Sequence, residues 1–242
     1  MNKYYIIIVI YLSMDWCLGE CDSAFTYFNE LPDNVTILVG DSCLYNDDIA
    51  VLDSIVVKNE LNYDSPLELG TQTWFNGRLR FLVAGNYGNS SGVNDTIYTL
   101  PDNFGDLNEL ASLYLEWNRI SELPESFNEL SGLFSVYLNN NILSSIVDSI
   151  GNLSNLYFLD LGYNHLQSLP ESICNLENLD YLWLFNNQLT YLPEDFCNLN
   201  LDWDGDDTWG YPYFAIGGNM LCENLPECVA NSEHLDTSLE QY

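Results

Sequence analysis

Positively charged residues are scarce in this sequence, and their scarcity limits the partners that the protein can bind. The 242 residues include 5 lysines and arginines against 36 aspartates and glutamates, which gives a net charge of −31, and Arg119 is the last residue of the five. A field of that sign repels nucleic acid and anionic lipid surfaces. The composition therefore excludes both classes of partner. We interpret the acidity as favouring solubility, in particular where salt screens the charges.

Groups that support catalysis or bind zinc are also few. The sequence has two histidines, His165 and His234, and its seven cysteines form no CxxC pair, so no zinc site is indicated. It shows no Ser–His or Cys–His arrangement and no phosphate-binding loop. Paired carboxylates for glycoside hydrolysis, such as Glu116 and Asp160, occur easily by chance in so acidic a chain. We expect no enzymatic activity and no cofactor.

Long apolar runs are absent except near the N-terminus. Lys3 precedes an apolar run over residues 4–12, which is typical of a secretory signal peptide and which we assign to residues 1–19. The run is too short to span a bilayer before a cytoplasmic domain. We therefore expect a protein that is secreted or held at the cell surface. The final residues SLEQY give no clear stop, which leaves open whether the native chain extends past Tyr242.

A repeat of 23 residues dominates the remaining sequence. Four consecutive copies, starting at Leu110, Leu133, Leu156 and Leu179, share the skeleton LxxLxLxxNxLxxLPxxIxxLxx. Imperfect copies flank them: one begins at Leu79 and carries the insertion 88–95, and one begins at Tyr211 after nine extra residues placed in 201–210. A period of this length indicates a stacked solenoid in which each coil buries its apolar face against its neighbours.

This skeleton resembles the leucine-rich repeat family, in its LPxxI type, over about residues 44–228. The resemblance implies an α/β solenoid, a right-handed horseshoe with a concave parallel β-sheet and short 3₁₀ or irregular convex segments. It also implies a helical N-terminal cap at residues 20–78, repeats at 79–221 and a C-terminal cysteine cap and tail at 222–242. In NDDIAVLDSIVVKNE, Asp47 or Asn46 is the expected N-cap of the cap helix.

The cysteines fit terminal caps of this family in an oxidising compartment. By the same resemblance, we expect the disulfides Cys21–Cys43 and Cys222–Cys228. Cys174 and Cys197 occupy the same repeat position one coil apart. They are either small buried apolar residues or a bridge between coils, and the sequence leaves both interpretations open.

The residues that point outward between the ladder leucines are the candidate binding site. Many of them are aromatic, and aromatic side chains grouped on one surface favour an interaction site. The alternative is that they cover one another across neighbouring strands. The candidate ligand-binding residues of the concave face are Tyr114, Glu116, Trp117, Tyr137, Asn139, Phe158, Asp160, Tyr181, Trp183 and Phe185.

A weak calcium candidate lies in the second insertion. Oxygen ligands there could come from Asp202, Asp204, Asp206 and Asp207, around Gly205. The full EF-hand spacing with its distal glutamate is missing, so a solvated acidic loop is the favoured interpretation.

The sequence as a whole predicts an exported, non-enzymatic recognition module that binds a protein ligand through the concave face. The alternatives are a glycan-binding protein, since aromatic platforms beside Asp and Asn suit sugars, and an adhesive component of the cell surface.

Overall fold

A computed structural model describes residues 21–88, 92–221 and 225–238, and the predicted signal peptide lies outside these residues. The strands are β1 (Phe25–Tyr27), β2 (Val35–Val39), β3 (Cys43–Tyr45), β4 (Thr71–Phe75), β5 (Arg78–Val83), β6 (Ser112–Tyr114), β7 (Ser135–Tyr137), β8 (Phe158–Asp160), β9 (Tyr181–Trp183) and β10 (Phe214–Ala215). The helices are α1 (Asn46–Lys58) and α2 (Glu227–Ala230). Short 3₁₀ helices lie at Pro66–Glu68, Phe104–Asp106, Glu125–Glu129, Ile150–Asn152, Glu171–Asn175 and Phe196–Asn198.

One sheet runs the length of the molecule. Its eight strands lie in the order β10-β9-β8-β7-β6-β5-β4-β2, and all neighbours from β5 to β10 are parallel. Each repeat contributes one strand, so Leu113 pairs with Val136 and Leu159 with Leu182, 23 residues on in each case. At the N-terminal end, β4 and β5 form an antiparallel hairpin and β2 pairs parallel with β4. The predicted solenoid with a mostly parallel sheet is confirmed.

The core is a ladder of leucines between the sheet and the 3₁₀ helices. In the coil that contains β8, Leu156, Leu161 and Leu166 are fully buried, and the equivalent side chains of the neighbouring coils pack against them. The alternation of β-strands places these side chains inward and the intervening ones outward. Because no coil encloses its own apolar face, burial depends on the next coil.

The repeat asparagines form a second ladder. Asn164 accepts a hydrogen bond from the Leu143 amide at 3.0 Å and donates to the carbonyls of Leu138 and Leu161 at 3.0 and 3.1 Å. Asn118, Asn141, Asn187 and Asn219 repeat this pattern in their own coils. The asparagines thus satisfy backbone groups that the stacked turns would otherwise bury unpaired.

Helix α1 covers the first coil, as the sequence predicted for the N-terminal cap. Its N-cap is Tyr45, without a side-chain hydrogen bond, so the expected N-cap at Asn46 or Asp47 is wrong. Asp48, in the first turn, is fully buried, and its carboxylate bonds both Arg78 (Nε and Nη2, 3.0 Å each) and the Leu79 amide at 2.8 Å. Desolvation raises the pKa of Asp48, and the Arg78 guanidinium opposes that rise.

The two ends of the solenoid carry disulfides, but only one follows the prediction. Cys21–Cys43 is present, which confirms the N-terminal pair. At the other end Cys228 bonds Cys197, with a Cα–Cα distance of 5.7 Å, so the predicted Cys222–Cys228 pair is wrong. The reason is that α2 packs against the 3₁₀ helix Phe196–Asn198, which brings Cys228 to Cys197. Cys222 lies outside the described residues.

Cys174 and Cys197, for which the sequence left both a buried thiol and a bridge open, differ in the structure. Cys174 is a free, partly buried thiol, and burial raises its pKa to about 11. Cys197 is neither bridged to Cys174 nor a simple apolar core residue, because it anchors the C-terminal cap through Cys228.

Candidate functional site

The sheet face, defined here as the outward side of β6–β9, is positioned by a recurring turn. One residue before each repeat asparagine takes a positive φ: Trp117 (61°), Asn140 (56°), Tyr163 (51°) and Asn186 (53°). This left-handed residue ends the strand segment and turns the chain into the ladder asparagine. Asparagine adopts this region readily, whereas Trp117 and Tyr163 do so at a steric cost.

A continuous stack of aromatic rings crosses the sheet face. Ring centroids are 4.4 Å apart for Tyr114–Tyr137, 4.6 Å for Tyr137–Phe158, 5.0 Å for Phe158–Tyr181 and 4.7 Å for Tyr181–Tyr213. The stack changes rows at β8, because Asp160 occupies the position that Tyr137 holds on β7. Phe158, two residues earlier, receives the Tyr137 ring diagonally.

Two carboxylates lie among these rings in an environment that favours their neutral form. Glu116 is 9% exposed and accepts a hydrogen bond from the Tyr87 hydroxyl at 2.7 Å. Asp160 is 4% exposed and accepts one from the Gly162 amide at 2.9 Å. Desolvation raises the pKa of Glu116 to about 7 and that of Asp160 to about 8, despite these donors.

The C-terminal part of the predicted binding face is largely covered by the protein's own chain. Exposed fractions are 9% for Tyr181, 6% for Trp183 and 3% for Phe185. The second insertion folds back over them: the Tyr181 hydroxyl donates to Asp207 Oδ2 at 3.1 Å, and Trp183 Nε1 donates to the Pro212 carbonyl at 2.8 Å. Mutual coverage of neighbouring rings therefore accounts for part of this aromatic cluster.

The other predicted residues differ in their exposure. Tyr114, Tyr137, Asn139 and Phe158 are partly buried on the sheet face. Trp117 is 37% exposed at the strand ends.

Phe185 fits beside β8 only because residue 162 is glycine, where a Cβ would lie 2.5 Å from the Phe185 ring.

Several residues of the face were missed by sequence reasoning. Tyr87, Asp207, Tyr211 and Tyr213 contact the predicted residues, yet all lie in or beside the two insertions. The departures from the 23-residue period located these insertions, but they did not indicate the direction in which the inserted residues fold.

A cavity of about 430 Å³ remains open between the aromatic stack and the insertion. We call it the aromatic hollow. Its lining residues are Tyr137, Phe158, Tyr181, Trp183, Asp207 and Tyr211. Such a density of rings beside a single carboxylate resembles a ligand-binding pocket more than a packing defect.

A larger, more polar groove of about 640 Å³ lies where the strands begin. The stacked rings of Phe134 and Tyr157, 4.7 Å apart, stand in it beside Arg80, Glu177 and Asp180. We take the aromatic hollow as the candidate site, because the groove has few apolar groups to anchor a ligand.

The acidic loop does not form a calcium site in the structure. Asp202 Oδ1 accepts the Gly205 amide at 3.0 Å, Asp204 Oδ1 accepts the Glu233 amide at 2.8 Å, and Asp207 Oδ1 accepts the Trp209 amide at 2.8 Å. Asp206 lies 3.5 Å from the His234 ring. The described residues contain no group of three or more His, Cys, Asp or Glu side chains that could hold a metal ion. These aspartates therefore shape the loop instead of converging.

The fold defines a class, a solenoid built on one eight-stranded, mostly parallel sheet with a disulfide at each end. Residues 155–176 and 178–199 match the family model described as Leucine Rich Repeat. These two matches lie within the six coils of β5–β10, and together with the solenoid they support a leucine-rich repeat protein, as the sequence skeleton predicted.

Similar solved structures show the same fold. A plant ice-binding protein has a TM-score of 0.61 at 23% identity, over 78% of this chain and 61% of that chain. The leucine-rich repeat ectodomain of the receptor kinase SOBIR1 from Arabidopsis thaliana has a TM-score of 0.56 at 22% identity, over 74% of this chain and 95% of that chain. A search of curated protein sequences gave no match. Identities this low establish the fold alone, and this chain spans 61% of the ice-binding protein.

The disulfides at the two ends of the solenoid fit an oxidising compartment. Within the part of the chain that the structure describes, no helix is long and apolar enough to cross a membrane.

Proposed function

We propose that this protein is an exported, non-enzymatic recognition module that binds a protein ligand through the concave aromatic face. The observation that carries the proposal is the aromatic hollow, where rings from three consecutive repeats, Asp207 of the second insertion and the Tyr211 ring just after it surround one cavity. The proposed face includes Tyr114, Glu116, Trp117, Tyr137, Asn139, Phe158, Asp160, Tyr181, Trp183 and Phe185, to which we add Tyr211 and Asp207.

The rigidity of this face supports a binding role. Tyr137 stacks between Tyr114 and Phe158, and hydrogen bonds hold Tyr181 and Trp183 in place. Aromatic anchors that are already ordered lose little conformational entropy on binding and can bury much apolar area. Such residues commonly dominate protein interfaces.

The same geometry argues against catalysis by the carboxylate pair. A glycosidase needs both carboxyl groups within reach of the glycosidic bond. Asp160 is 4% exposed beneath the rings, and Glu116 is bonded to Tyr87. We therefore assign these two residues to the architecture of the face.

Export is part of the proposal. Disulfides close both ends of the solenoid, and such bonds persist in oxidising compartments. A lysine followed by the apolar run at residues 4–12 supports the same conclusion.

A glycan is the second candidate ligand, either in solution or on a surface to which the protein adheres. The observation in its favour is the combination of several aromatic rings with the Asp207 carboxylate in one cavity. Selective binding on a glycan array, without retention of any protein, would favour this alternative.

Affinity capture from the native surroundings tests the proposal. We expect the double variant Tyr137→Ala/Tyr211→Ala to recover at least about tenfold less partner than the wild type, because losing aromatic hot spots costs about 2 kcal/mol or more. Identification of the retained proteins by mass spectrometry is the measurement.

The matched control is Tyr98→Ala/Tyr191→Ala, which removes two rings that are 52% and 56% exposed and lie outside the aromatic hollow. Its recovery should equal that of the wild type. Equal recovery by the hollow variant and this control would contradict the assignment of the face.

A further inference from the structure

The aromatic hollow has walls of a particular kind. Phe158 and Trp183 meet edge-on at 4.8 Å, Trp183 and Tyr211 lie 6.1 Å apart, and Tyr181 closes a third side at 5.0 Å from Phe158. Trp183 is held in its orientation by its bond to the Pro212 carbonyl. Four aromatic side chains besides Tyr137 thus line one cavity, and aromatic rings attract cations through the negative charge on their faces.

A single acidic group lies in this wall. Asp207 Oδ1 accepts the amides of Trp209 and Tyr211 at 2.8 and 3.0 Å, and Oδ2 accepts the Tyr181 hydroxyl. Desolvation raises the pKa of Asp207, but these donors outweigh it and hold the pKa below its usual range. The carboxylate therefore stays ionised at neutral pH and adds a fixed negative charge beside the rings.

In the described residues, the ion pairs of lysine and arginine are made with Asp102, Asp48 and Glu109, and none involves Asp207. No lysine or arginine follows Arg119 in the sequence, whereas every residue of the hollow comes after position 136. The net charge of −31 extends the negative field around the cavity. A partner with complementary charge would be attracted over a distance and then desolvated among the rings.

We infer that the aromatic hollow receives the cationic side chain, a lysine or an arginine, of the protein partner. The inference rests on the proposed function and specifies the partner's chemistry. Cation–π contact with the rings and the charge of Asp207 together select this group over an apolar side chain of similar size.

The first test uses choline as the probe and 3,3-dimethylbutan-1-ol as its neutral isostere, with binding followed by calorimetry and by the NMR signal of the Trp183 indole N–H. Choline should bind about five- to thirtyfold more tightly than the alcohol, the range expected for a desolvated cation–π contact. Equal affinities, or no saturable binding of choline, would overturn the inference.

Asp207→Asn separates charge from packing, because asparagine keeps the Oδ1 acceptor for the Trp209 and Tyr211 amides. This variant should lose most of the preference for choline while its melting temperature stays close to that of the wild type. Asp148→Asn, an equal loss of charge at an exposed position outside the hollow, is the control and should keep the full preference. A preference that survives in Asp207→Asn would refute the role of the carboxylate.

A second arm distinguishes this inference from the proposed function. Arginine amide and lysine amide should compete with the captured partner, and Asp207→Asn should capture less partner than Asp148→Asn. If capture depended on Tyr137 and Tyr211 but not on Asp207, the proposed protein recognition would stand. The inference that a cationic side chain enters the hollow would then be wrong. If choline bound but no protein were captured, the hollow would still be a cation site. The inference that the cation belongs to a protein partner would then be wrong.

Discussion

At the scale of single residues, burial has opposite consequences for two polar side chains of the repeats. Asn164 is buried and fully hydrogen-bonded, so its burial stabilises the coil. Asp160 is buried and accepts a hydrogen bond from the Gly162 amide, while the nearby Glu116 adds a like charge. A carboxylate in that position is stable mainly as the neutral acid, because ionisation would place a charge among rings.

The raised pKa of Asp160 predicts a pH-dependent effect of Asp160→Asn. Because the pKa is about 8 in the folded protein and near 3.8 in the unfolded chain, the favourable contribution of the neutral acid is present below pH 4 and is lost as the pH rises to about 8. The variant avoids this loss. Its free energy of unfolding should match the wild type near pH 4 and exceed it at pH 8 by at least about 1 kcal/mol, the equivalent of one pKa unit.

Urea denaturation at pH 4, 6 and 8 measures this difference. Asp148→Asn is the control, since an exposed aspartate should give a small change that does not vary with pH. A constant difference between Asp160→Asn and the wild type over this range would show that Asp160 ionises normally in the fold.

At the scale of elements, the coils are interchangeable and the ends are not. Each coil from β6 to β9 has the same strand, turn and 3₁₀ return, so any one of them stacks on the next. After β10, α2 packs on the 3₁₀ helix Phe196–Asn198 of the β9 coil and is fixed there by the bond between Cys197 and Cys228. Terminal caps of this kind shield an apolar face that stacking leaves open.

Cys197→Ser should destabilise the C-terminal cap. The disulfide closes a separation of 31 residues, and removing it should lower the free energy of unfolding by about 3–4 kcal/mol through the regained entropy of the unfolded chain. Cys174→Ser, at the same repeat position in the previous coil, removes a free thiol and should change stability by less than about 1 kcal/mol.

Thermal unfolding without reductant measures both variants. Reductant should lower the stability of the wild type by at least as much as Cys197→Ser does, because it also opens Cys21–Cys43. If the two serine variants proved equally stable, Cys197–Cys228 would not be the bond that holds the cap.

At the scale of the whole molecule, charge and topology act separately. The coils stack through leucines and asparagines, which carry no charge, and among the described aspartates and glutamates only Asp48, Glu116 and Asp160 are buried. In the described residues, the ion pairs Lys58–Asp102, Arg78–Asp48 and Arg80–Glu109 all lie in the N-terminal half. Repulsion among the remaining carboxylates therefore opposes the compact state along the C-terminal half.

Added salt should stabilise the protein at neutral pH. Raising NaCl from about 10 mM to about 500 mM shortens the Debye length from roughly 30 Å to under 5 Å and so screens this repulsion. We expect the melting temperature to rise steadily over that range in calorimetric scans. Near pH 4, where many carboxyl groups are protonated, the same increase in salt should have a smaller effect. A melting temperature that does not change with salt at pH 7 would contradict this account.

Much of the fold was predictable because its signals are local. The period of 23 residues, the apolar alternation at Leu113 and Leu115 and the asparagine at each turn appear within a single copy and recur in the next. The helix over NDDIAVLDSIVVK followed from apolar spacing, although its N-cap did not. The candidate site was less predictable, since outward positions of the strands could be named but their covering segments could not.

The sequence by itself determined that coils form and stack, since each repeat carries its own strand, turn and buried ladder, and identical neighbours complete one another. Only the tertiary structure decided that Cys228 joins Cys197, and that the second insertion folds over Tyr181 and Trp183 to leave the aromatic hollow. The physical reason is that these contacts join non-periodic segments to coils 26–31 residues away in sequence, and no local pattern states where such segments lie.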